Sequence, residues 1–241
     1  MNRALQAIVF DFDGVIANSE PLHLIAFQQA LASEGIELSP AEYYARYLGY
    51  DDVGLFEVLA RDRGLAMNGE RVTTLVTRKG ERMQELLRSG TVLFPGATEF
   101  IRAAAAAVPI AIASGALRHE IDEVIDAAGM SELFATIVAA GDTPQSKPSP
   151  APYRLALDRL RDSVGRDIDP RRSVAIEDSK WGLESAHGAG LRLVGVTNSY
   201  PAHELAGAEL VVDSLEALTL PALDRLCASV GATHASPLRN T

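Results

Sequence analysis

The sequence predicts an α/β protein, a doubly wound parallel sheet with an all-helical module inserted after its first strand. Two patterns carry this. From residue 110 onward, short apolar runs alternate with stretches of helical spacing, as in a parallel sheet covered on both faces. Between residues 10 and 110 the apolar positions recur mostly at helical spacing instead, which sets that part apart. In chain order, Ala7–Phe10 is an apolar run closed by Asp11 and Gly14 and reads as a buried strand. Helical periodicity follows at 22–31, 55–59 and 75–87, and Ser39, Pro40, Ala41 and Glu42 supply a capping box with proline at the first helical position. The remaining strands are expected at Ile110–Ala113, 136–140, 173–176, Arg192–Val196 and Leu210–Val212, with helices at 118–128 and 179–189, the latter closed by Gly190. These boundaries assign residues 1–15 and 90–241 to the sheet domain and 16–89 to the inserted helices, with a mobile tail expected over 229–241.

Polar residues collect where the predicted strands end. Asp11 and Asp13 follow the first strand, and Gly14 permits the bend that lets both carboxylates converge. Taken alone, Asp13-Gly14 also reads as an ordinary turn. Ser114 and Gly115 follow the second strand just ahead of a helix, where a hydroxyl and free amides favour an anion, although a plain capping serine has the same signature. Glu177 and Asp178 form a second acidic pair after the strand at 173–176. Lys147 lies among Ser146, Pro148, Ser149 and Pro150, where the prolines stiffen the backbone that presents its ammonium.

Together these groups meet the demands of phosphate monoester hydrolysis. That reaction needs acceleration of up to roughly 10²¹-fold, and so a nucleophile, a proton donor and concentrated positive charge. An Asp carboxylate serves as a covalent nucleophile, a lysine as a point charge on phosphate oxygens, and clustered carboxylates facing an anionic substrate require a hard cation such as Mg²⁺.

The blocks Asp11-Phe12-Asp13-Gly14-Val15, Ser114-Gly115, Lys147-Pro148 and Glu177-Asp178-Ser179, with the trailing Gly182 and Gly190, resemble in order and spacing the four motifs of haloacid dehalogenase superfamily phosphatases. The similarity spans nearly the whole chain and is greatest to the β-phosphoglucomutase-like and phosphoglycolate phosphatase-like hydrolases. The resemblance implies a Rossmann-like core with a helical cap. It also implies that Asp11 becomes an aspartyl phosphate, that Asp13 protonates the leaving oxygen and later activates water, and that Ser114, Gly115 and Lys147 bind the phosphoryl group. Asp11, the Asp13 carbonyl and Asp178 would hold Mg²⁺, with Glu177 a ligand or an outer partner. Cap residues expected near the substrate are His23, Gly49, Tyr50 and Lys79, joined by Arg118 of the core, although each also reads as structural or surface. The cap segment Leu48, Gly49, Tyr50, Asp51, Asp52 offers no basic residue for a second phosphate, which favours a hydrolase over the alternative, a sugar phosphomutase.

Composition agrees with such an enzyme. Hydrophobic residues make up 47% of the 241, enough for an extensive core. A net charge of −10 argues against nucleic-acid or anionic-membrane surfaces. The single Cys227 excludes an internal disulfide framework, and the five histidines lack zinc-ligand spacing. No apolar run approaches the roughly 18 residues of a membrane span, and the chain enters its first strand without a signal pattern. A cytoplasmic monomer or weak homodimer acting on a small phosphorylated metabolite, a sugar phosphate or a phosphoglycolate-like acid, is therefore expected. A non-catalytic phosphate-sensing module would lack the nucleophile or a metal ligand, and this chain has both.

Overall fold

Among the described residues, the inserted part of the chain carries the helices α1 (Glu20–Ala32), the short α2 (Pro40–Glu42), α3 (Asp52–Arg63) and α4 (Gly69–Arg88). The computed structural model describes residues 3–48, 50–88 and 92–228. Two compact units result, Met1–Asn18 with Val92–Thr241 and Ser19–Thr91. The helices run beyond the expected periodic stretches because apolar spacing marks only the buried positions, whereas caps set the ends. The Ser39 hydroxyl accepts from the Glu42 N–H at 3.2 Å, and the Asp51 carboxylate accepts from the Gly54 N–H at 2.7 Å. A π-helical turn, Tyr43–Tyr47, continues α2. It turns Tyr43 and Tyr47 into a core with Phe27, Leu31, Leu55, Phe56 and Leu75, in which Phe27 and Phe56 meet edge to face at 5.4 Å.

In the other unit the first strand is central. β1 (Ala7–Phe10) is buried throughout and pairs in parallel with β2 (Ile110–Ala113) and β4 (Ser173–Glu177). With β3 (Thr136–Val138), β5 (Arg192–Val196) and β6 (Leu210–Val212) the order is β3-β2-β1-β4-β5-β6. Helices α5 (Ala97–Ala105), α6 (Arg118–Ala127), α7 (Ala151–Val164), α8 (Lys180–Gly188) and α9 (Leu220–Ala228) complete the unit. Alternation along the strands sorts residues by size. Ala7, Val9, Ala111, Ala113 and Ala175 face Tyr153, Leu157 and Leu160 of α7, small against large. Phe10 points to the opposite face and meets Phe100 of α5 and Phe134 at 6.1 and 6.3 Å.

Two local details differ from the sequence expectation. β3 stops at Val138 because the Ala139 N–H donates to the Asp142 carboxylate at 3.3 Å and the Ala140 N–H to the Ala116 carbonyl, so neither continues the ladder. β4 runs one residue further than expected because Glu177 still pairs with Gly195 of β5. As expected, α6 begins at Arg118, and the capping alternative for Ser114 falls away because the N-cap is Leu117, whose N–H donates to the Glu120 side chain at 3.2 Å. The expected module boundary at 89–90 and the tail 229–241 lie outside the described residues. No described helix is long and apolar enough to cross a membrane, and Cys227 is buried, its thiol pushed up to about 12 by burial.

Ile8 is fully buried, in register with Ile110 on one side and Val174 on the other. Ile8→Ala is expected to cost about 2–5 kcal/mol in urea unfolding at an unchanged denaturant slope. A loss below about 1 kcal/mol would contradict a central β1, since core truncations of this kind seldom cost so little.

Candidate active site

The strand order reverses direction between β1 and β4, and in open parallel sheets the crevice beyond the strand ends at such a point is where ligands bind. The acidic groups lie there. The Asp11 N–H extends the ladder by donating to the Ile176 carbonyl at 2.9 Å, which puts Asp11 beside the end of β4 and hence beside Glu177 and Asp178. These three buried residues each offer a carboxylate oxygen, all within 4.8 Å of one another. Ser114 continues β2 on the other side of β1, its N–H bonded to the Val138 carbonyl, and its hydroxyl accepts from the Ala116 N–H at 3.0 Å. Asp13 follows in the loop after β1, close enough for its charge to act on Asp178.

One ammonium serves the cluster. Lys147 Nζ reaches Asp11 Oδ1 at 2.7 Å and Glu177 Oε1 at 2.6 Å. The Tyr153 hydroxyl donates to the same Glu177 oxygen at 2.6 Å, and the Phe12 N–H donates to Asp11 Oδ1 at 2.7 Å. Burial raises the Glu177 carboxyl above the usual carboxylate range, and the Asp11 charge adds to it; the same two causes raise Asp178. Burial alone would lower the Lys147 ammonium, but the charges of Asp11 and Glu177 outweigh it and hold it above the ordinary lysine value. Three carboxylates against one ammonium leave an excess of negative charge out of water. Such an oxygen-rich set suits a hard divalent cation.

Two glycines make this crowding possible. A Cβ at Gly14, whose φ is +76°, would overlap the Asp178 carboxylate, and one at Gly182 would overlap that of Glu177. Gly182 lies in the first turn of α8, where the Ser179 hydroxyl accepts from its N–H at 3.2 Å. The bare backbone there lets the Glu177 side chain lie against the helix start.

The structure brings Asp11, Lys147, Glu177 and Asp178 into contact range, with Asp13 beside them and Ser114 and Gly115 at the end of the adjacent strand. Sequence reasoning missed Tyr153, Asn198 and Ser199. The Ser199 hydroxyl hydrogen-bonds the Asp178 carboxylate, and the Asn198 amide donates to the Gly14 carbonyl at 2.8 Å. Tyr153 stands six residues after Lys147 within the motif-bearing segment, a signal that position alone made available; Asn198 and Ser199 carry no such mark. Arg118 pairs with Asp122 at 2.8 Å along the exposed face of α6.

The helical unit holds its own polar cluster. Lys79 is only 1% exposed. Its Nζ lies 2.9 Å from Asp52 Oδ1 and 2.9 Å from His23 Nδ1, and 5.1 Å above the Phe27 ring. Burial first, and the Lys79 charge second, hold the His23 imidazole down at about 3, so the ring is neutral and takes the ammonium's hydrogen bond on Nδ1. Tyr50 is 48% exposed, and Gly49 lies outside the described residues.

A family model described as "haloacid dehalogenase-like hydrolase" matches residues 5–190. Protein CbbY of Rhodobacter capsulatus is 32% identical over 92% of this chain and 99% of its own length. Crystal structures of CbbY from Rhodobacter sphaeroides superpose with a TM-score of 0.80 over 91% of this chain and 99% of theirs, one in complex with phosphate at 31% identity and one in complex with xylulose-(1,5)-bisphosphate at 30%. A phosphoglycolate phosphatase of Pectobacterium atrosepticum is 26% identical over 87% of this chain and 89% of its own.

Gly182→Ala is expected to lower stability by about 1–3 kcal/mol, read as a fall in melting temperature, because the new methyl must displace a pinned carboxylate. Gly115→Ala, with nothing within 4 Å of the added carbon, is expected to melt like the parent; equal melting of all three proteins would contradict the packing described. His23 gives a pH signature. Its folded value near 3 lies below the roughly 6.5 of an unfolded histidine, so the unfolded chain binds the extra proton and stability falls as pH drops from about 6.5 toward 3. His23→Gln is expected to flatten that part of the melting-temperature profile, and parallel profiles would refute the assignment.

Proposed function

Since this chain belongs to the haloacid dehalogenase-like hydrolases, whose model covers residues 5–190, we propose that it is a Mg²⁺-dependent phosphomonoester hydrolase acting on a small phosphorylated metabolite, a sugar phosphate first of all. The observation that carries the reading is the buried Asp11, Glu177 and Asp178 cluster with Lys147 bridging two of its members at the sheet's switch point. Relatives named phosphatases, among them one for phosphoglycolate and one for phosphorylated carbohydrates, and a neighbour that binds a sugar bisphosphate support the substrate class.

In this reading an Asp11 oxygen attacks phosphorus, the ester P–O bond breaks, and the departing oxygen takes a proton from the Asp13 carboxyl. Water then gives a proton to the Asp13 carboxylate and attacks the same phosphorus. The bond to Asp11 breaks, and inorganic phosphate leaves. Lys147 and the Ser114 and Gly115 segment hold the phosphoryl oxygens, while the Phe12 N–H and Lys147 fix Asp11 Oδ1 and with it the direction of attack. Mg²⁺ held by Asp11, the Asp13 carbonyl, Asp178 and Glu177 or its surroundings would supply charge neutralisation at the transferring group. The mutase alternative draws less support, because the 48–52 segment carries no basic side chain and Lys79 is already paired with Asp52.

A screen of phosphorylated metabolites with and without Mg²⁺ is expected to find phosphate release that disappears in chelator and returns on adding the metal. Asp11→Asn is expected to lower turnover by several orders of magnitude while the protein still folds, and Asp178→Ala to raise the Mg²⁺ requirement far more than Ser179→Ala. Full activity without metal, or near-parent turnover of Asp11→Asn, would overturn the proposal. Conversion of sugar 1-phosphates to 6-phosphates with negligible free phosphate would put a mutase in its place.

A further inference from the structure

The connection that leaves β5 touches both sides of the acidic cluster. Asn198 Nδ2 donates to the Gly14 carbonyl at 2.8 Å, across 184 positions of sequence, and the adjacent Ser199 hydroxyl hydrogen-bonds the Asp178 carboxylate. The three elements meet closely. A Cβ placed on Gly14 would lie 2.8 Å from Ser199 Oγ while overlapping Asp178, so the β1 loop, the end of β4 and this connection share one junction. The connection is itself anchored, since the Thr197 N–H donates to the Val212 carbonyl of β6 at 3.0 Å.

We propose that Asn198 and Ser199 form a two-point clasp that positions the metal-binding carboxylates: Asn198 fixes the loop carrying Asp11 and Asp13, and Ser199 fixes the orientation of Asp178. The inference rests on the metal-dependent reading above. A carboxylate that carries one oxygen toward a cation is oriented by what its surroundings donate, and removing such an outer partner typically weakens metal binding about 10- to 100-fold. Ser199 is exposed, where water partly replaces a lost hydroxyl, so the lower end of that range applies. Neither residue touches the reacting atoms in this account. Both are positioning residues.

Calorimetric titration of Mg²⁺ into the chelator-stripped full-length protein tests the clasp without any turnover. Ser199→Ala and Asn198→Ala are each expected to raise the Mg²⁺ Kd about tenfold, with metal-free melting temperatures within about 2 °C of the parent, as for surface changes that leave packing intact. Ser199→Thr, which keeps the hydroxyl, is expected to restore parent affinity. An unchanged Kd in Ser199→Ala beside normal binding by the parent overturns the clasp alone, and so does a Kd loss matched by a fall in metal-free melting. Absence of Mg²⁺ binding by the parent overturns the metal-dependent reading and the clasp with it.

Discussion

Placing three buried carboxylates side by side is the constraint around which this protein is arranged. Even after relaxation, each buried charge costs several kcal/mol, whereas a hydrogen bond to a charged group returns about 1.5–3 kcal/mol. Lys147, Tyr153, the Phe12 N–H and Ser199 answer part of that cost for Asp11, Glu177 and Asp178. They do not remove the excess charge. In the proposed reading that remaining negative charge would draw a divalent cation, and through it an anionic substrate that a net charge of −10 would otherwise repel.

The backbone is shaped to the same end. Parallel pairing of β1 with β2 and β4 puts Asp11 between two strand ends, so groups remote in sequence converge where the sheet order turns. Gly14 and Gly182 take away the carbon atoms that would otherwise occupy the space of Asp178 and Glu177. Small residues on the α7 face of the sheet admit Tyr153, whose ring lies under Lys147 at 5.3 Å and whose hydroxyl meets Glu177. Packing and electrostatics thus rely on the same side chains, and a change to either disturbs both.

Much of this was legible in the sequence because the groups that carry it sit directly after strands. Asp11, Ser114 and Asp178 each follow a short apolar run, and such runs are the easiest elements to recognise. Partners that act across the fold were not legible. Asn198 and Ser199 occupy a stretch that reads as an ordinary polar connection, and only folding brings them to Gly14 and Asp178. The pairing of Lys79 with His23 and Asp52 was hidden for the same reason: three helices contribute one residue each. Of the two readings that Ser114 allowed, capping falls away only once the structure shows that the helix takes Leu117 as its N-cap. In the helical unit, the π-helical turn at Tyr43–Tyr47 had no sequence signature, since its i to i+5 pairing leaves no distinct apolar period over so few residues.

The proposed chemistry makes Asp11 itself the site of a covalent bond to phosphorus, and that bond can be sought directly. Protein mixed with an intact sugar phosphate that it hydrolyses and with Mg²⁺ would be quenched in acid within one turnover and its peptides examined by mass spectrometry. The account predicts a transient phosphoryl group on the peptide bearing Asp11, absent in Asp11→Asn. A phosphoryl group on another residue, or none during a demonstrated burst of product, would contradict it.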